Sequence, residues 1–302
     1  MRVKLTRRRV LLLLTLATLI AGAVQLNRTQ LWEDSQVYAG WRVQHHVMLP
    51  TCRLLDDEQR VREHGLFSAC FDALQRFKRT ERLAPRSPHL VILLHGMGRS
   101  PALFRAMERD LRAAGFDAVA VSYPSLTKDI AGHADQVELL LARARGVEKV
   151  SFVSHSLGGL VVREVLSREG DPITAIWHNK LKLGRVVMIA PPNQGSELAE
   201  SVAGLPPYHW IGGPAAREIA AGPPFAPVSP EIEVAIIAGG TDGGSGFNPL
   251  LSENNDGVVT VSETRLPGAR DHIVVPALHT VIAGDPQTIA ATRNFLETGR
   301  LR

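Results

Sequence analysis

From His89 to the C-terminus, short apolar runs alternate with helical stretches, and this alternation limits what the chain can fold into. The runs are Leu90–Leu94, Asp117–Ser122, Lys149–Ser154, Arg185–Ala190, Glu233–Ala238 and Ile273–Pro276. Each is continuous rather than alternating in polarity, as expected of strands buried on both faces. Between them lie helical segments. Pro101 opens one after Ser100 and Gly115 closes it; Ala134–Arg145 is a second, and Pro286–Leu296 is the last. Strands separated by helices predict an α/β domain with a mostly parallel sheet and helices on both faces.

Within that alternation, Val150-Ser151-Phe152-Val153-Ser154-His155-Ser156-Leu157-Gly158-Gly159 joins a strand to a helix through one tight corner. Ser156 stands at the corner in a G-x-S-x-G pattern, with Ser154 in the first glycine's place. Small residues two positions away on either side leave room for a strained backbone that lifts the Ser156 hydroxyl clear of the sheet. The bland alternative is a helix-capping serine after a buried strand.

A serine hydroxyl needs a base, and the base needs an orienting acid. In parallel sheets such groups gather beyond the carboxyl ends of the strands. His279 follows the last strand in Ala277-Leu278-His279-Thr280, whereas His272 begins that strand and falls at its wrong end. His279 is therefore the candidate base. Asp242 and Asp256 compete for the acid. Asp242 lies among glycines, while Asp256 precedes the β-branched run Val258-Val259, which can hold a carboxylate rigidly, so Asp256 is preferred. The Leu157 N–H at the start of the helix and the Met97 N–H in His95-Gly96-Met97-Gly98 are candidate oxyanion donors. His95 reads as structural.

Together these pieces resemble the α/β-hydrolase superfamily, over roughly residues 89–302. Within it the chain resembles bacterial class 2 lipases and GPI inositol-deacylase-like serine esterases. The shared motifs are His95–Gly98, Ser154–Gly158, Asn255–Val259, His279-Thr280 and the Pro191–Ser196 segment. The resemblance implies hydrolysis of acyl esters, acyl lipids among them, through Ser156, Asp256 and His279, without a cofactor or metal. Acyl transfer by the same triad, and a non-catalytic scaffold binding an envelope lipid or protein, are the alternatives.

The remaining segments bear on place and access. Residues 1–24 combine five bases in the first nine positions, fifteen mostly apolar residues from Val10 to Val24, and Ala21-Gly22-Ala23. This reads as a cleaved export signal or a single membrane anchor, with the body periplasmic. Without those five bases the rest carries 29 bases against 30 acids, which argues against a nucleic-acid surface. In an exported body Cys52 and Cys70 would pair, whereas in a cytosolic one they would be free thiols. Residues 25–88 form an N-terminal extension outside that resemblance, with a hairpin over Trp41–Leu55 and a helix over Phe67–Lys78. Residues 191–230 hold nine of nineteen prolines together with Tyr208, Trp210, Ile211 and Phe225. That composition predicts a lid over the substrate, or else a structural loop.

Overall fold

A computed structural model describes residues 30–168, 175–204 and 212–302 of the chain. The stretch read above as an export signal, residues 1–24, and Tyr208, Trp210 and Ile211 of the expected lid lie outside the described residues. Among the described residues no helix is long and apolar enough to cross a membrane.

The extension forms a four-stranded antiparallel sheet in the order β1-β2-β3-β4. Its strands are β1 (Trp32–Tyr38), β2 (Trp41–His46), β3 (Cys52–Leu55) and β4 (Val61–Gly65). Helix α1 (Phe67–Thr80) packs on it through Cys70, Ala73 and Leu74 against Trp41, Val43 and Leu54. The expected hairpin and helix are thus present, enlarged by strands at both edges. A disulfide joins Cys52 to Cys70 across 18 residues. Closing a loop of that size restricts the unfolded chain by roughly 3 kcal/mol.

Strand β1 is polar in its middle, Glu33-Asp34-Ser35-Gln36, yet these residues are buried. Asp34, the most buried of them, is held by hydrogen bonds on all sides. The Asp34 carboxylate accepts from the Arg42 guanidinium at 2.8 Å, from Gln44 Nε2 at 2.8 Å and from the Ser122 N–H at 2.7 Å. The Asp34 N–H in turn donates to the Ser122 carbonyl at 2.9 Å. Gln136 Nε2 bonds both the Asp34 and Ser122 carbonyls. The extension is therefore fastened to the larger sheet through a buried polar network.

The larger sheet has six parallel strands: β5 (His89–Leu94), β6 (Asp117–Val121), β7 (Lys149–His155), β8 (Lys182–Ile189), β9 (Val234–Gly239) and β10 (Asp271–Val275). Their order is β10-β9-β8-β7-β5-β6. Helices α2 (Arg105–Ala113), α3 (Ile130–Arg143), α4 (Leu157–Ser167), α5 (Ala175–His178), α6 (Glu197–Val202), α7 (Gly213–Ala221) and α8 (Pro286–Thr298) follow in chain order. Alternate residues of each strand enter two different cores. Ile92, Leu94, Phe152, Met188 and Ile236 meet side chains of α3, α4 and α7, including Val137, Leu160 and Ile219. Val91, Leu93, Val153, Ile189 and Ile237 meet Met107 and Leu111 of α2 and Phe295 of α8. Burial on both faces accounts for the unbroken apolar runs. Because all six strands are parallel, their carboxyl ends lie along one edge of the sheet. The loops after β5, β7, β9 and β10 emerge there.

Candidate active site

The corner after β7 holds Ser156 at φ 55° and ψ −125°, a backbone conformation that L-residues rarely adopt. Its N–H donates to the Ile189 carbonyl at 2.9 Å. The tightness is visible in its neighbours. A Cβ at Gly158 would stand 2.3 Å from the Leu94 carbonyl oxygen, and one at Gly96 would stand 2.9 Å from Ser156 Cβ. Both positions therefore exclude side chains. Ser154 is fully buried, with its hydroxyl 3.5 Å from the Val187 carbonyl, so the corner accommodates the extra atoms where the pattern carries glycine.

His279 and Asp256, 23 positions apart in the chain, meet beyond the ends of β10 and β9. The imidazole Nδ1 lies 2.7 Å from Asp256 Oδ2. The other carboxylate oxygen accepts from the N–H groups of Val258 at 3.0 Å and Val259 at 2.8 Å. The main chains are tied too, since the His279 N–H donates to the Asp256 carbonyl at 2.9 Å. Asn255, fully buried, accepts from Asn248 and Gly257 N–H groups and donates to the Asn248 and Glu253 carbonyls. The acid loop is thus built by side-chain hydrogen bonds and not by a strand ladder. The carboxylate accepts from Nδ1–H, which leaves Nε2 of the neutral ring as the basic nitrogen.

His155, immediately before Ser156, presents Nε2 to the His279 carbonyl at 2.9 Å, and the two rings lie 4.7 Å apart. A carbonyl only accepts, so Nε2 carries the proton. Burial, first, and then the nearby His279 hold the His155 pKa well below its ordinary value.

Ser156 and His279 line one cavity of about 270 Å³. Its walls include Met97, Leu198, Ala199, Val202, Ile219, Val258 and Val259. The cavity is therefore mostly apolar. No hydrogen bond joins the Ser156 hydroxyl to His279 among the described residues; in such sites that bond tightens when substrate binds. Nor does any described protein group accept from the Met97 or Leu157 N–H, whereas the Gly98 N–H is taken by Ser125 Oγ at 2.9 Å. Helix α6, capped by Ser196, and Ile219 of α7 supply the walls within the proline-rich region. Phe225 does not line the cavity; it packs on the core and against Arg163.

By structure, the chain is similar to the mature form of the Bacillus licheniformis lipase BlEst2. The TM-score is 0.50 at 22% identity, over 66% of this chain and 87% of that one. The chain has the α/β-hydrolase fold. An esterase of Thermogutta terrifontis is similar at 14% identity over 71% of this chain and 91% of that one, with a TM-score of 0.49. A thioesterase of the Streptomyces coelicolor prodiginine pathway is similar at 14% identity over 69% and 85%, with a TM-score of 0.46. In sequence, residues 62–203 match a family described as a domain of unknown function, DUF7379. No curated protein matches the chain in sequence.

On this α/β-hydrolase framework the competing residues fall elsewhere. His272 bonds Thr264 Oγ1 at 3.1 Å at the start of β10, and Asp242 is exposed on its glycine-rich loop. His95 donates from Nδ1 to the Gly96 carbonyl at 2.9 Å and stacks on Tyr123. Sequence reasoning passed over Arg99, Leu198, Ala199, Val202 and Ile219 of the cavity wall, and the brace made by His155. Arg99 stands next to the His-Gly-x-Gly turn, and that adjacency was the available signal. Nothing in the short segment Glu197–Val202 marks its inward face.

Proposed function

We propose that the protein is a serine ester hydrolase that works through Ser156, His279 and Asp256. The observation that carries this reading is the 2.7 Å contact of His279 with a doubly anchored Asp256, in the cavity that also takes the strained Ser156. Ser156 Oγ attacks the acyl carbonyl carbon and yields its proton to His279 Nε2. Asp256 stabilises the imidazolium that forms. The N–H groups of Met97 and Leu157 take the oxyanion; a donor of this kind is worth on the order of a hundredfold or more in rate. The tetrahedral species collapses, and His279 returns the proton to the departing alcohol. Water then attacks the acyl-serine, with His279 as its base, and the acid is released.

The apolar walls favour a hydrophobic acyl chain. The pattern in residues 1–24 and the Cys52–Cys70 disulfide favour a body exported to the periplasm, either released or tethered by its N-terminus.

The test is hydrolysis of 4-nitrophenyl esters by wild type and Ser156→Ala, alongside labelling with a fluorophosphonate. Turnover and labelling are expected in the wild type, and both are expected to vanish in the folded variant. Undiminished turnover by Ser156→Ala would refute the assignment.

A further inference from the structure

Among the described residues, the wall of the apolar cavity carries one arginine, which ester hydrolysis itself does not use. Arg99 lines it together with Ser156, His155 and His279, two positions beyond Met97. The Arg99 backbone is fastened at both ends: its N–H donates to the Gly96 carbonyl at 3.2 Å, and its carbonyl accepts from Gln30 Nε2 at 3.1 Å. The guanidinium, by contrast, makes no hydrogen bond or ion pair among the described residues. No carboxylate lines the cavity. Asp256, behind the cavity wall, is held by His279 and the Val258 and Val259 N–H groups, and two further acids on segments adjoining the wall are also engaged. Glu263 accepts from the Thr260 and Glu197 N–H groups, and Glu197 accepts from the Ser252 N–H and hydroxyl. The Arg99 charge reaches the catalytic end of the pocket, where it is among the influences that keep His155 neutral, after burial and His279.

A guanidinium gains most from a carboxylate or phosphate that it can hold with two parallel hydrogen bonds. Beside an apolar wall, with no anion among the described residues bonded to it, this one is placed to receive such a group from the ligand. Resting on the hydrolase reading above, we infer that Arg99 is a specificity residue that binds an anionic group, a carboxylate or a phosphate, on an otherwise apolar ester. The substrate class is then an amphipathic ester: its chain lies along Leu198, Val202 and Ile219, and its charge faces the turn that carries Met97.

Two matched pairs locate the charge. A 4-nitrophenyl monoester of glutarate against 4-nitrophenyl pentanoate puts the anion on the acyl side. A 1-acylglycerol 3-phosphate against the monoacylglycerol of the same chain puts it on the alcohol side. In at least one pair the wild type is expected to favour the charged member in kcat/KM by about tenfold. Arg99→Gln is expected to abolish that preference, Arg99→Lys to restore part of it, and added salt to weaken it in the wild type. A purely structural role for Arg99 would shift both members of a pair alike. Equal ratios in wild type and Arg99→Gln for both pairs would overturn the inference, while turnover of the neutral esters would leave the hydrolase reading standing. If no ester is turned over, the hydrolase reading fails, and binding decides about Arg99. Hexanoate and hexyl phosphate, titrated calorimetrically against hexanol, should bind Arg99→Gln about tenfold more weakly than wild type; equal binding would overturn the inference on its own.

Discussion

His155 Nε2 donates to the main-chain carbonyl of His279 at 2.9 Å, so the residue before the corner serine braces the loop that presents the imidazole. The contact spans 124 positions of chain and ties the ends of β7 and β10 together. A position that reads in sequence as a spacer within the G-x-S-x-G pattern thus sets the relation between two proposed catalytic side chains.

Replacing His155 with Leu would leave the buried carbonyl without a donor, at a cost of about 1–3 kcal/mol. The His279 loop would shift, and displacements of this kind reduce turnover by on the order of tenfold to a hundredfold. His155→Gln, which keeps a donor, is expected to lose less. Paired kcat and melting measurements on the two variants check this; wild-type kcat in His155→Leu would show that the brace is dispensable.

Asp256→Asn would preserve the shape of the acid loop but remove the acceptor that fixes the His279 tautomer. In a Ser-His-Asp arrangement that change lowers kcat by roughly 10⁴. Fluorophosphonate labelling should slow in parallel, with little change in melting temperature. A decrease below tenfold would point to another acid.

The buried imidazoles of His95 and His133 are both held at about 4, chiefly by burial, against an ordinary value of 6.5. Below pH 6.5 the unfolded chain binds protons that the folded one refuses, so stability is complete above pH 6.5 and falls as the pH drops toward 4. The slope is roughly 1.4 kcal/mol per pH unit for each such group. Among the described residues, neither buried ring nitrogen of His133 has a hydrogen-bond partner. His133→Leu is therefore expected to flatten the decline at little cost at neutral pH. Chemical denaturation from pH 4 to 8 measures this, and an unchanged slope in the variant would count against it.

Asp34→Ala would leave Arg42 buried without its counter-charge and remove the carboxylate that accepts from the Ser122 N–H, leaving only the main-chain bond between the two residues. Breaking a buried pair in this way costs about 3–5 kcal/mol. At the size of this chain that corresponds to a fall in melting temperature of roughly 10 °C. Asp34→Asn, which keeps some of the acceptors, should fall less. Thermal unfolding of both variants provides the comparison; a shift of only a degree or two in Asp34→Ala would mean that the extension is held by other contacts.

Much of this arrangement was legible in the chain itself. Six apolar runs too uniform for a half-exposed sheet required burial on both faces, which a parallel sheet between helices provides. Small residues around Ser156 marked a corner that could not have been built with larger ones. The β-branched pair after Asp256 suggested a rigidly held carboxylate, though not that the Val258 and Val259 N–H groups would hold it, and the position of His279 after its strand separated it from His272. Strand β1 was not legible, because Asp34 and its neighbours are polar and become strand-like only when Arg42, Gln44 and Ser122 bond them.

The order and kind of the strands, and hence the edge of the sheet on which the candidate residues gather, follow from local patterns, because burial and backbone sterics act over a few residues at a time. Which distant side chains then touch depends on loop paths. The contact of His155 with His279, the fastening of Asp34 to Ser122 and the guanidinium of Arg99, unpaired among the described residues beside an apolar wall, all arise between segments remote in the chain. Only the closed packing of the folded molecule determines whether such groups find partners.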